Sequence, residues 1–411
     1  MGIEVRAVTD AELDDAVRAV MASYGQHAGD DDLADMRALA ELDRTLVAFD
    51  DGRPVGMAAA ITLEVTVPGG GTVTGAGFTD IGVLPTHRRR GVLTALLGAH
   101  LEASRARGEP VSALVAAEGG IYNRFGFGVA TFASSGELDP RRGGFLSPVN
   151  LAGDLRLLGP EEMVLLLPEA YERYRRAQPG EVSRSEAFWD VLFHDRDGAG
   201  ARFAVAHETP GGDVDGYAVY RVREAWAHGS PAFELDVEEL VTPLPAVRAR
   251  LWRFLLDVDL VASVRAVNLP IDDPLRWLLA DPRALRTTAV RDMLWVRLVD
   301  VPAALAARRY PVAARVVLDV EGAGGGLRGS NPVTGRYLLD GSPHGAECRP
   351  CADQGPDLSI NLADLGAAYL GGVRLSTLAR AGRVVEHTRG MLARADTLFS
   401  VDPPPHCQTD F

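Results

Sequence analysis

The chain has 411 residues, more than one hydrophobic core usually supports, so its length sets an expectation of two or three domains. At 47% hydrophobic and 24% charged residues, the composition excludes a disordered or low-complexity protein. A formal net charge of -14 argues against nucleic-acid binding, which needs a basic surface to displace phosphate counterions, and suits cationic partners instead.

The opening residues, MGIEVRAVTDAELDD, lack the basic start and apolar core of a signal peptide, and no run approaches 18 apolar residues. A cytoplasmic protein with no membrane partner is therefore expected. ELDDAVRAVMASY places apolar residues at helical spacing, and DLADMRALAEL follows as a second helix. Strands come next, with a hairpin turn at Asp50, Asp51 and Gly52 and another at Gly69 to Gly71. GVLTALLGAHLEASRARG then forms a strong amphipathic helix that stops at Gly108, and VSALVAA reads as a buried strand.

Residues 203–255 replay residues 45–97 at a distance of 158, with Val241 on Val83 and Pro243 on Pro85. In that alignment Ala246 falls on Arg88, Arg248 on Arg90 and Ala249 on Gly91. Two similar domains are the simplest explanation, the second having lost its glycine. A third region starts near Arg291: MLWVRLVDVPAALAARRY ends a strand and begins a helix, and VVLDVEG and GRYLLDG read as strands. LSINLADLGAAYLGGV and LSTLARAGRV read as short helices around paired glycines, which makes this region a separate α+β module. The fold class expected is α/β (α+β) with mixed sheets, divided into residues 1–150, 151–290 and 291–411.

Three cysteines are too few for a disulfide framework. Cys348 and Cys351 form a C-x-x-C and Cys407 follows His406, but without a second such pair no metal site is expected.

The chemistry concentrates in IGVLPTHRRRGVLTALL. A buried strand ends at Leu84, Pro85 blocks its continuation, three arginines follow, and Gly91 opens a helix. Free amides at a helix start, the positive end of its dipole and neighbouring guanidinium groups make a site for a pyrophosphate. As a mere helix cap the arginines would oppose the dipole, so an anionic ligand accounts for them better.

Strand, Arg-rich loop and helix, with Arg88-x-x-Gly91 at the turn, resemble the coenzyme A loop R/Q-x-x-G-x-G/A of the GNAT acetyltransferases, with Leu93 at its last small position. PTHRRRG, then EGGIYNRFGFG, then Phe411 at the carboxyl end resemble the Enhanced intracellular survival (Eis) family over essentially the whole chain. That resemblance implies two tandem GNAT-like domains, the second without a coenzyme site, and a sterol-carrier-protein-like third domain. It implies acetyl-CoA contacts at Ile81, Gly82 and Val83, at Arg88, Arg89, Arg90, Gly91, Val92, Leu93 and Thr94, and at Ala117 and Glu118. Tyr122 becomes the general acid, and the main-chain carboxylate of Phe411 the general base. His87 in the loop and His100 on the long helix are assigned no catalytic part.

The family acts on aminoglycosides, and some members on lysine side chains; an acidic chain with a carboxylate base fits a cationic amine, a polyamine included. No Trp occurs in the first 188 residues, so a substrate pocket differing in shape and charge is expected. Asp30, Asp31, Asp32 and Asp35 are candidates to line it, or else form a solvated acidic face. The resemblance also implies a homohexamer. The competing reading is a lipid-binding or scaffold protein with a vestigial transferase, its third-domain helices around Gly366, Gly371 and Gly372 enclosing a cavity.

Overall fold

The structure, a computed structural model, describes residues 2–193, 201–322 and 333–411. From the amino terminus come β1 (Glu4–Ala7), α1 (Leu13–Ser23), α2 (Asp30–Leu39), β2 (Thr45–Asp50), β3 (Arg53–Val67), β4 (Gly71–Val83), α3 (Val92–Ala106), β5 (Val111–Val115), α4 (Gly119–Tyr122) and β6 (Gly128–Val129). Next are β7 (Phe132–Leu138), β8 (Asp154–Leu158), α5 (Pro160–Ala177), α6 (Glu186–Phe193), β9 (Arg202–Glu208), β10 (Val214–Arg223), the small hairpin β11 (Trp226–Ala227) and β12 (Ser230–Pro231), β13 (Phe233–Val241), α7 (Pro245–Leu256), β14 (Val261–Pro270), α8 (Leu275–Leu278) and β15 (Leu285–Asp292). The remainder holds β16 (Leu294–Leu298), α9 (Val301–Ala307), β17 (Ala314–Glu321), β18 (Gly335–Ser342), β19 (Gly345–Pro350), β20 (Leu358–Asn361), α10 (Leu362–Tyr369), α11 (Leu375–Arg380), β21 (Val384–Glu386) and α12 (Met391–Phe399). Two compact units result: Met1–Thr131 with Met293–Pro405 and Thr409–Phe411, and Phe132–Asp292 with His406–Gln408.

The first unit contains a seven-stranded sheet of order β1-β2-β3-β4-β5-β16-β6. Its strands are antiparallel neighbours except β4 and β5, the parallel pair that α3 joins. α1 buries Leu13, Ala16, Val17 and Val20, one stripe at helical spacing, against Val47, Phe49 and Met57. Ala48, between Val47 and Phe49, points the other way and packs with Val92 and Leu96 of α3. The two helices thus cover opposite faces of the sheet, each large apolar side chain contributing roughly 1.5–3 kcal/mol.

The strand expected at the head of the third region, β16, lies instead between β5 and β6 of this first sheet. Every residue of β16, Arg297 included, is buried, as a central strand covered on both faces is. The sterol-carrier-like part has its own five-stranded sheet, β19-β18-β17-β20-β21, and α10, all eight residues of which are buried. LSIN, read as the start of a helix, is strand β20; the helix begins only after Asn361, whose side chain accepts from the Asp364 amide at 3.0 Å. The glycines expected around a cavity are places of close backbone approach: Gly366 on the Val296 carbonyl, Gly371 on that of Phe399, Gly372 on that of Ala130.

The second unit repeats the plan in a sheet of order β15-β7-β14-β13-β10-β9-β8, with β13 and β14 the parallel pair around α7. β13 ends at Val241, 158 residues after the end of β4, as the internal repeat requires. α7, however, starts directly at Pro245, so Ala249 is a buried residue inside the helix and not a counterpart of Gly91 in a preceding loop.

Candidate active site

β4 pairs with β5 only from Gly75–Val111 to Phe78–Leu114, yet it continues along β3 as far as Val83. Past Phe78 the two parallel strands therefore part, leaving the Ile81–Val83 edge without a strand neighbour on the β5 side. A bulge sits at the same place. Met57 pairs with Gly82 and Ala59 with Thr79, so Asp80 and Ile81 together oppose Ala58, and Asp80 takes a φ of 50°. The displaced Ala58 carbonyl accepts from His100 Nε2 at 2.7 Å. Burial lowers the His100 pKa to about 4, so this imidazole is a neutral structural donor.

Beyond Val83 the chain makes a single 3-10 turn at Pro85–His87, and α3 starts after Gly91 at φ 83°. A β-carbon there would meet nothing within 4 Å, so the left-handed backbone, and not crowding, is what demands glycine. The first helical bond is donated by Ala95 to the Gly91 carbonyl at 3.0 Å, which leaves the amides of Val92, Leu93 and Thr94 ahead of it for an external acceptor. The three arginines divide. Arg88 donates to the carbonyls of Ser23 at 3.0 Å and Val83 at 3.4 Å, and Arg90 pairs with Asp50 at 3.3 Å, as does His87 at 3.1 Å. Arg89, at φ 62°, is exposed and has no partner among the described residues.

Tyr122 ends α4 just past the tip of β5. Its ring packs edge-on against Phe127 at 6.3 Å in a cluster with Phe125 and Trp295, while its hydroxyl makes no hydrogen bond among the described residues. Burial, with smaller contributions from Tyr24 and Glu118, raises its pKa to about 12. The turn behind it is fixed by Gly126 at φ 87° and by the buried Arg297 of β16, whose guanidinium donates to the Phe125 carbonyl.

These parts meet in one cleft of about 470 Å³. Ile81, Gly82, Val83, Arg88, Arg89, Gly91, Val92, Leu93, Thr94, Glu118 and Tyr122 line it; Arg90 and Ala117 are not among its lining residues. Ser23, Tyr24, Ile121 and Arg124 also line it and were missed from sequence. Tyr24 donates to the Ile81 carbonyl at 2.9 Å, and Arg124 adds a third cation, stacked over Phe125 at 4.9 Å. The YNRF string signals Arg124, whereas nothing local signals Tyr24. The Phe411 ring lies on the same strand further back, where a β-carbon on Gly77 would come within 2.9 Å of it.

Asp30, Asp31 and Asp32 fill the first turn of α2, where Asp32 accepts from the Gly29 amide at 3.0 Å; with the buried Asp35, none lines the cleft. Cys348 and Cys351 are buried free thiols, and burial pushes Cys348 up to about 12. No group of three or more potential metal ligands occurs among the described residues.

The corresponding opening of the second unit is different. β13 and β14 pair only to Val237–Ala266, and chain-terminal residues enter beyond that point: Asn268 donates to the carbonyls of Cys407 and Gln408, each at 3.2 Å. The Gln408 amide donates to Glu181 at 2.8 Å, leaving a void of about 10 Å³. That holds less than one small ligand.

Residues 4–130 match the model of an acetyltransferase (GNAT) domain, residues 180–298 match a second one, and residues 301–408 match a sterol carrier protein domain. An uncharacterised N-acetyltransferase of Streptomyces coelicolor is 40% identical over 90% of both chains. N-acetyltransferase Eis of Mycobacterium tuberculosis is 34% identical over 95% of each. Eis1 from Mycobacterium abscessus superposes with a TM-score of 0.86 at 35% identity, covering 100% of both chains. The chain belongs to the Eis family of N-acetyltransferases. As in Eis, two GNAT domains precede a sterol-carrier-like domain, and the protein is an N-acetyltransferase. The GNAT fold implies acetyl-CoA as co-substrate together with an acceptor. The residues present fit it: an open strand edge suits an extended amide-bearing arm, and the α3 amino terminus with Arg89 suits phosphates.

Proposed function

We propose that this Eis-family enzyme transfers the acetyl group of acetyl-CoA to a cationic primary amine, of an aminoglycoside, a polyamine or a lysine side chain. The observation carrying this reading is that the Tyr122 hydroxyl, without a protein partner, shares one cleft with the open amino terminus of α3. Backbone of Ile81–Val83 holds the arm of the coenzyme and Arg88–Thr94 its phosphates, with Ala117 and Glu118 at the tip of β5. Acetyl-CoA supplies the activated thioester.

The terminal carboxylate of Phe411 takes one proton from the acceptor ammonium, freeing the nitrogen lone pair to attack the thioester carbonyl. As the carbon–sulfur bond breaks, Tyr122 donates its proton to the departing thiolate. The second proton leaving nitrogen restores the phenol through solvent, and the proton on the carboxylate is released, so each turnover yields amide, thiol and one proton. A pKa of about 12 keeps Tyr122 protonated at neutral pH. Transfer to a thiolate of ordinary pKa near roughly 8.5 is uphill, so the phenol hydrogen-bonds the sulfur as charge develops, and its proton transfer is completed as the proton from nitrogen replaces it. On this reading residues 1–150 carry catalysis, 151–290 form the degenerate GNAT part, and 291–411 supply the carboxylate. The reading extends to a cytoplasmic homohexamer, to be checked by light scattering on the full chain.

The test is acetyl-CoA turnover across an aminoglycoside, a polyamine and a lysine peptide. Tyr122→Phe should lower kcat by roughly 100-fold or more while acetyl-CoA affinity holds. A chain lacking Phe411 should lose activity comparably; full activity in that chain refutes the terminal-carboxylate base.

A further inference from the structure

Several buried acids among the described residues are matched with cations, while Glu181 is held by the Tyr171 hydroxyl and the Gln408 amide. Glu109 pairs with Arg44 at 2.6 Å, Glu239 with Arg184 at 2.5 Å and Asp364 with Arg383 at 2.8 Å. Such pairing is expected, because an isolated buried carboxylate is costly. Asp80 has no such cation. It is partly buried, no Arg or Lys pairs with it among the described residues, and its side-chain bond is to Thr79.

Its position is specific. Asp80 is the second residue past the last β4–β5 pair, in the bulge where the strands part, next to the cleft-lining Ile81 but not itself one of the lining residues. Its left-handed φ of 50° is sterically unfavourable for an L residue with a β-carbon, and only the short polar Asn and Asp adopt it readily. Around it stand neutral phenols: Tyr24 from the end of α1, whose own ionisation Asp80 opposes, and Tyr122 beyond it within reach of Tyr24. Arg88, of the loop that follows, is engaged by the carbonyls of Ser23 and Val83. Three residues back on the same strand, about 10 Å along it, the Phe411 ring rests against Gly77.

We propose that Asp80 is the specificity-determining anion of the acceptor site, a carboxylate left without a protein cation so that an ammonium of the substrate can pair with it. The proposal rests on the cationic-amine reading above and adds to it the residue that selects charge. Consistent with a vacant counter-ion position, burial raises the Asp80 pKa to about 6, and an ammonium beside it would return it to the charged form. Asp80 is assigned recognition, while the proton-accepting step stays with the Phe411 carboxylate.

The test compares wild type and Asp80→Asn with 1,4-diaminobutane, cationic at neutral pH, and with an aniline, which is not. Asn tolerates the positive φ, so the variant should fold, and an unchanged acetyl-CoA Kd verifies the cleft. The substitution should lower kcat/KM for the diamine roughly tenfold or more, through KM, and leave the aniline within about twofold. In wild type, kcat/KM for the diamine should rise with pH through about 6 as the carboxylate ionises, and Asp80→Asn should lose that limb. Diamine kcat/KM within about twofold of wild type in the variant overturns this proposal alone. A wild-type enzyme that prefers the aniline overturns the cationic-amine reading, and this proposal with it.

Discussion

His100 shows how the surroundings of an ionisable residue near the candidate site make it a neutral structural donor. Packed against Phe78 at a centroid distance of 5.0 Å and donating to the carbonyl freed by the bulge, it has a pKa of about 4 in place of 6.5. Below pH 6.5 the unfolded chain binds a proton that the native ring resists, so stability falls as pH drops from 6.5 towards 4, by about 2 kcal/mol at pH 5. His406, held near 4 by burial in the second unit, adds a slope of the same sign. Urea unfolding between pH 7 and 5 should therefore show a smaller loss of stability in His100→Gln, whose amide can keep the bond to Ala58, than in wild type. Equal slopes would mean that His100 takes up its proton in the folded state. Tyr122 is altered in the opposite sense, since burial holds it protonated, which is the form an acid needs.

On the proposed reading, coenzyme binding turns on the loop and the start of α3. Gly91 faces open space and is required only for its dihedral angle, so side-chain size and backbone strain can be separated there. Gly91→Asn should keep acetyl-CoA affinity within about fivefold, because Asn accepts a positive φ. Gly91→Glu combines strain with an anion at the helix dipole and should weaken binding roughly 10- to 100-fold, measured by calorimetry. Unchanged affinity in Gly91→Glu would remove the phosphates from this helix terminus. The second unit supplies the contrast. Only residues 242–244 separate its strand from its helix, and Arg248 is paired to Asp273 at 2.7 Å, so the helix start has no counterpart of the Arg-rich loop.

At the scale of the whole molecule, sheet membership does not follow the order of the sequence. β16 completes the first sheet and β7 the second, each reaching its sheet from the far side of an intervening stretch of chain. β16 also carries Trp295 and Arg297 to the turn of Tyr122, where a β-carbon on Gly119 would come within 3.3 Å of the indole and Arg297 holds the Phe125 carbonyl. A fragment of residues 1–150 should consequently expose the edges of β5 and β6, lose the support of Tyr122, and show neither cooperative melting nor acetyl-CoA binding. A fragment that melts cooperatively and binds acetyl-CoA would show that β16 is dispensable.

The sequence by itself determined the local features: the long helix after Gly91, the hairpin at Asp51 and Gly52, whose φ values are 50° and 76°, and the order of elements in both GNAT parts. Helical periodicity, turn dihedrals and capping depend on neighbours a few residues away, so they are written in short strings. Tertiary structure decided which strands pair, that LSIN is a strand, that only residues 242–244 precede α7 after its strand, that Trp295 stands beside Tyr122 although no Trp occurs before Trp189, and that Asp80 lies in a bulge. Those outcomes are set by register, burial and charge pairing between residues tens to hundreds of positions apart, for which a single sequence has no short-range signal.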